Sequence, residues 1–276
     1  MLKKGKPVYS FIASIRETVM GDVLVKATNI TKRFGALTAL NGVNMEINRG
    51  EVLALLGDNG AGKSTFTKVL SGAYSATEGE LVVSGKSVHF SSPKEASDCG
   101  IATIYQELAL AENLSIAENV FLGRELKRQV LGIPFLRMQA MRERVQQLLA
   151  ELDAHISDAE APVGSLSGGQ RQAVAICRAL NLNAQLVIMD EPTAALAVAE
   201  TRKVLSLTRR LAERNCGVVL ISHNISDVFE VADRMVVFRR GRKIAERRRE
   251  ETSPDEIVSL ITGAHPEARA FEQRRD

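Results

Sequence analysis

Nine consecutive residues, GDNGAGKST, concentrate the chemistry of one loop. From Gly57 to Ser64 they fit G-x-x-x-x-G-K-[ST]. They follow an apolar strand pattern, EVLALLG, and open a helical one, KSTFTKVL. That context builds a phosphate-binding loop. Gly57, Gly60 and Gly62 let backbone N–H groups approach phosphate oxygens, and Asp58, Asn59, Ala61 and Thr65 complete the cradle. Lys63 is placed to reach the β- and γ-phosphates of a nucleotide, and the Ser64 hydroxyl to bind Mg²⁺.

LVIMDE supplies the complementary half. Its apolar residues predict a buried strand, and Asp190 stands where the strand's carboxyl end meets the ligand crevice. A carboxylate there holds Mg²⁺ through water. Glu191 follows at once and is the candidate to orient or deprotonate the attacking water. The same pair also fits a helix cap before Pro192. Gln106 ends IATIYQ and His223 ends VVLISH, each a polar group just past an apolar strand. Gln106 is a candidate sensor of Mg²⁺ or water, and His223 a candidate donor to the γ-phosphate. Taken singly, each also fits a satisfied polar residue in a turn. Phe34, in ITKRFG, is a candidate to stack on adenine or a core aromatic.

A second phosphate grip lies far downstream, in LSGGQRQ. Ser167, Gly168, Gly169 and Gln170 stand at the head of a predicted helix, where free N–H groups and the helix dipole favour an anion. One domain with two such grips either binds two nucleotides or shares one with a neighbour.

These loops need a scaffold. The chain has 276 residues, 45% apolar and 25% charged, as in a globular protein. A net charge of +3 gives no argument for nucleic acid as a partner. The apolar runs are strand-sized, too short to cross a bilayer. The basic N-terminus followed by YSFIASI does not read as a secretory signal. Three dispersed cysteines fit neither a disulfide framework nor a CxxC metal site, which points to a reducing cytosol. Residues 1–21 form an N-terminal extension sharing no pattern with the rest, with Met20 as an alternative start. Short strands are expected from Val23, with turns at Gly35, Asn41-Gly42 and Gly85-Lys86. The sixty residues after Gln106 read as helical, including a stripe from Met138 to Leu152. QLVIM and GVVLI read as strands of a parallel sheet. RRGRKIAERRR, in a hairpin turning near Gly241-Arg242, is a basic run facing solvent, lipid or a partner. The tail 266–276 is expected to be mobile.

GDNGAGKST, IYQE, LSGGQRQ, LVIMDEPT and ISHN, in that order, resemble the nucleotide-binding subunit of an ABC transporter. The resemblance covers about residues 22–265. It implies an α/β P-loop NTPase with a mostly parallel core sheet, an N-terminal antiparallel β lobe and an inserted helical lobe at about 107–180. It implies ATP and Mg²⁺ as cofactors. It also implies a second ATP-binding subunit, most simply a homodimer, in which Ser167, Gly168 and Gly169 grip the γ-phosphate held by the partner's P-loop. GDNGAGKST, PKEASDCGIATIYQELAL, SIAENVFLGREL, EPTAALAV and ISHNISDVFEVADR are similar to the ribose, xylose and fructose importers. In that group the subunit sits on the cytoplasmic face of the membrane, bound to a sugar permease that a periplasmic sugar-binding protein supplies. ATPases of DNA repair or translation usually carry paired halves, coiled coils or zinc cysteines, and exporters more often a fused apolar span; the chain shows none of these features. One departure stands out: Ala197 replaces a carboxylate that the broader family uses for a polar contact between the two sites.

Overall fold

The computed structural model describes residues 22–273, apart from 131, 132, 155, 157 and 195; the predicted extension 1–21 lies outside them. In chain order the elements are β1 (Val23–Phe34), β2 (Leu37–Asn48), β3 (Val52–Leu56), α1 (Lys63–Leu70), β4 (Glu78–Val83), β5 (Lys86–Val88), α2 (Pro93–Asp98), β6 (Ile101–Ile104) and α3 (Ile116–Phe121). There follow β7 (Lys127–Val130), β8 (Ile133–Leu136), α4 (Met138–Glu151), α5 (Gly168–Asn181), β9 (Leu186–Asp190), α6 (Val198–Glu213), β10 (Gly217–Ile221) and α7 (Ile225–Val231). The chain closes with β11 (Arg234–Arg239), β12 (Arg242–Arg248), α8 (Pro254–Thr262) and α9 (Pro266–Gln273).

The central sheet has the order β12-β11-β3-β10-β9-β6. Its strands β11, β3, β10, β9 and β6 are parallel, and β12 closes one edge antiparallel. VLALL and GVVLI are buried at every position, because both faces of the sheet are covered. The period-2 alternation of a strand divides them between two cores. Val52, Ala54 and Leu56 pack with Met141, Leu148 and Ile176 on the helical side. Leu53 and Leu55 pack with Ile30, Leu40 and Phe66, beneath α1 and a second, antiparallel sheet of order β2-β1-β4-β5.

Three expectations change. Asn41-Gly42 is not a turn: β2 runs through it, and the β1–β2 register shifts between Ala27 and Ile30. Asn29 and Gly42 take φ of +53° and +62°, and the Asn29 N–H donates to Asn44 Oδ1 at 2.9 Å, so turn residues here serve a bulge. The segment after Gln106 is not wholly helical. α3 is short, and a β7–β8 hairpin interrupts the run before α4; Pro134 lacks the N–H that a helix interior needs. The tail begins with a helix instead of mobile chain. In α9 Ala268 is fully buried, Glu267 pairs with Arg247, and the Phe271 ring lies 5.8 Å from Arg242 Cζ. Arg239, Arg242 and Arg247 of the basic run are thereby spent on packing α8 and α9 against β11 and β12.

Candidate active site

Four adjacent parallel strands deliver the chemistry at one edge of the sheet. The register pairs Leu55 with Ile221, Ile221 with Asp190, and Ile104 with Met189. The P-loop after β3, His223 after β10, Asp190-Glu191 at the end of β9 and Gln106 after β6 therefore stand side by side, at about 4.8 Å per strand. They line a cleft of 690 Å³ that also takes in Phe34, Asn59, Gly60, Ala61, Gly62, Ser64 and Thr65.

The loop is shaped by glycine and closed by lysine. Gly62, the N-cap of α1, has φ +106°, and a Cβ there would press on Ala39 O and Gly241 Cα, both at 3.1 Å. Gly62, Lys63, Ser64 and Thr65, at the head of α1, line the cleft, where the N–H groups of a helix start favour an anion. Gly57 and Asp58 do not line this cleft but an adjoining one of 360 Å³. A Cβ on Gly57 would collide with the Phe238 carbonyl oxygen. The carbonyls of Gly57 and Asp58 accept from Lys63 Nζ at 2.5 and 3.0 Å. Burial lowers the pKa of this ammonium, while Glu191, Asp58 and Asp190 oppose the shift. The cation is thus held by two carbonyl oxygens, the partners that phosphate oxygens would replace.

Glu191 has φ +51°, a left-handed conformation uncommon outside glycine, fixed by its N–H donating to Ile221 O at 3.0 Å. The turn swings its carboxylate toward His223. The His223 N–H donates to Oε2 at 3.4 Å, and Nε2 lies 3.1 Å from Oε1. Oε1 is buried and lacks a well-aligned hydrogen bond despite that short distance, so it keeps acceptor capacity for water. Burial raises the pKa of Glu191 and of Asp190; His223 opposes the shift at Glu191, and Lys63 leads the opposition at Asp190. If Glu191 accepts the proton of the attacking water, its ionised form is the active one. Hydrolysis should therefore fall as pH drops through a pKa above the usual carboxylate range. His223→Ala removes the opposing group, so the acid limb of the kcat profile should move to higher pH. A limb that stays in place in that variant would refute the coupling.

Ser64, Gln106 and Asp190 present hydroxyl, amide and carboxylate oxygens to the same cleft. Among the described residues there is no group of three or more His, Cys, Asp or Glu that could hold a metal. A hard cation completed by phosphate oxygens fits this donor set.

The cleft also contains residues that the motifs did not reveal: Leu37, Thr38 and Ala39 at the start of β2, and Arg240-Gly241 at the β11–β12 turn. Gly241 N–H donates to Ala61 O, and Asn41 N–H to Gly241 O, both at 2.8 Å, so the hairpin turn clamps the P-loop to β2. The sequence signal was the Arg-Arg-Gly turn inside the basic run. Phe34 is held edge-on to Tyr74 at 5.2 Å with Lys32 Nζ 5.0 Å from its ring, leaving it 42% exposed at the cleft rim. Ser167, Gly168, Gly169 and Gln170 are absent from the lining. Ser167 caps α5 and forms a reciprocal box with Gln170, at 3.4 and 3.0 Å.

A glycine-rich loop on a central parallel strand, with a carboxylate pair two strands away, defines a P-loop nucleoside triphosphatase. Residues 40–194 match the ABC transporter family. The chain is 49% identical over 239 residues to the xylose/arabinose import ATP-binding protein of Sulfolobus acidocaldarius, covering 87% of this chain and 94% of that one. It is 44% identical over 245 residues to the fructose import ATP-binding protein of Rhizobium meliloti, with the same coverages. A ribose import ATP-binding protein of Escherichia coli O157:H7 is 40% identical over 253 residues, 92% of this chain but 49% of its own length. Among solved structures, the ADP conformation of an ATP-binding cassette of an ABC transporter superposes with TM-score 0.72 at 26% identity, covering 91% of this chain and 98% of that chain. A dimeric bacterial ABC transporter cassette gives 0.67 at 26% identity, covering 82% and 98%. The chain belongs to the ABC transporter family and is an ATP-binding, ATP-hydrolysing cassette of it.

Proposed function

We propose that two copies of this chain close head to tail around two ATP molecules and drive import of a pentose, hexose or polyol through a membrane permease. The observation that carries the shared site is the placement of Ser167: a helix start built to grip an anion lies outside the cleft of its own P-loop. In this reading Lys63 and the loop amides bind the phosphates, and Phe34 stacks on adenine. Ser64 and Asp190 hold Mg²⁺, with Gln106 at its edge; the ion neutralises charge on the β- and γ-phosphates. Glu191 accepts the proton of the attacking water, and His223 orients Glu191 and meets the γ-phosphate.

The permease docks beside Gln106. A groove of 190 Å³ between α2, β6 and α5 is lined by Pro93, Thr103, Tyr105 and Ala179. Arg178 of α5 donates to the carbonyls of Leu108 and Ala109, both at 2.9 Å, tying the segment after Gln106 to the signature helix. Phe121 is 3% exposed and belongs to the core; Leu108 and Leu110 are half-buried, and Tyr105 is open. No helix among the described residues is long and apolar enough to cross a membrane, and the permease provides the attachment to the cytoplasmic face. A periplasmic sugar-binding protein would deliver the substrate. The carbohydrate class rests on the names of the relatives. Uptake of labelled pentoses, hexoses and polyols by a deletion strain tests the whole: one class should be lost and restored by the wild-type gene but not by Glu191→Gln. Unchanged uptake across the panel would refute the proposal.

A further inference from the structure

At the cleft rim two aromatic rings and two ammonium groups form one cluster. Phe34 and Tyr74 meet edge to face, with centroids 5.2 Å apart and planes at 74°. Lys32, two residues before Phe34 on β1, brings Nζ over both rings, 5.0 Å from the Phe34 centroid and 5.7 Å from that of Tyr74. Lys68 Nζ lies 5.3 Å from the Tyr74 centroid. The ammonium of Lys32 is fixed in place, since Nζ donates to Ser75 O at 2.8 Å. Tyr74 is fixed as well: its N–H donates to Lys68 O at 2.9 Å, and its side chain packs on the core that holds Phe66. The four side chains differ in their access to the cleft. Phe34 lines it and is 42% exposed, whereas Lys32, Lys68 and Tyr74 stand outside its lining.

We propose, building on the stacking role given to Phe34 above, that Lys32 is a positioning residue for the nucleobase: its ammonium, seated over Phe34, restrains and polarises that ring so that its exposed surface binds the purine of ATP. The physical basis is the ring quadrupole. A cation is attracted to the negative face of a ring, and it draws π density toward itself. A ring so depleted repels the π face of a stacked base less. The same contacts lower the entropic cost of stacking. A surface phenylalanine with no neighbours gives up rotamer freedom when a base settles on it. Phe34 is already held by Tyr74 and Lys32, so less freedom is left to lose. Lys32 therefore acts through Phe34 and not by direct attraction to the triphosphate, which in the reading above belongs to Lys63 and the loop amides.

Lys32→Gln tests this in the full-length protein. The amide retains a donor for Ser75 O and drops the charge. Kd for ATP by calorimetry, and KM in steady-state hydrolysis, should rise about two- to five-fold, the worth of a cation over an exposed ring. The rise in KM should come without a matching fall in kcat, the split expected when only binding is lost. Repeating the substitution in a Phe34→Ala background closes a double-mutant cycle. Phe34→Ala alone should weaken ATP binding about five-fold or more, as loss of a stacking ring does, and Lys32→Gln should add nothing to it. A Lys32 that attracts the phosphates directly, or only braces β1 against Ser75, would weaken binding by the same factor in both backgrounds, and that result overturns the proposal. A wild-type Kd in Lys32→Gln with Phe34 present overturns it too. Should Lys32→Gln fold poorly, Lys32→Met gives the same comparison. The two levels stay distinct. If Phe34→Ala binds ATP as tightly as the wild type, the stacking reading of Phe34 falls and this proposal with it. If Phe34→Ala weakens binding while Lys32→Gln does not, only this proposal falls.

Discussion

Glu191→Gln should lower ATP turnover by about 10²–10⁴-fold, the usual worth of a positioned base, and leave ATP binding intact. The amide matches the carboxylate in size and remains beside His223, but it cannot take a proton from water. It also removes a half-buried carboxylate whose charged form burial disfavours, so binding of a polyanion is not impaired and is eased. Lys63→Ala should behave in the opposite way. Nζ already sits where it holds two loop carbonyls, and its loss removes the ammonium partner of the β- and γ-phosphates. Nucleotide titration by calorimetry, paired with phosphate release, separates the two variants. Equal loss of binding in both would mean that the loop and the strand-end carboxylate do not divide the work as described.

The catalytic edge was legible because each of its groups follows an apolar run. VLALL, LVIMD and GVVLI are short and bounded by polar residues, so their carboxyl ends mark where a crevice must lie. Pairing order was not legible. Nothing local says that β10 stands between β3 and β9, which is what places His223 against Glu191. The positive φ of Glu191 was equally hidden, since it arises from a long-range hydrogen bond to Ile221. Leu37, Thr38, Ala39 and Arg240 escaped notice because they reach the cleft through the β1–β2 and β11–β12 turns, far from any phosphate motif. The β7–β8 hairpin was missed because flanking helical periodicity masked Pro134. The helix α9 was missed because its charges find partners only once β12 is in place.

Ser167→Arg should abolish ATP-driven dimer closure and turnover while sparing nucleotide binding to the monomer. The substitution removes a helix cap worth about 1 kcal/mol, which a core of this size tolerates. Its larger effect is steric and electrostatic: a guanidinium would fill the space where the partner's γ-phosphate must sit. Mixing distinguishes a shared site from a private one. Lys63→Ala and Ser167→Arg should each be inactive alone. A mixed dimer gathers both lesions into one site and leaves the other with the sound P-loop of the Ser167→Arg chain and the sound signature of the Lys63→Ala chain. Hydrolysis should return on mixing, to a fraction of wild type set by the share of mixed dimers. One intact site can act alone more readily here than in the broader family, because Ala197 places a methyl group where a carboxylate would join the two sites, and no side-chain hydrogen bond is made at that position. If Ser167→Arg hydrolyses ATP normally by itself, LSGGQRQ does not act in trans. If it is inactive but mixing restores nothing, the two sites are bound together by contacts other than the one that Ala197 lacks.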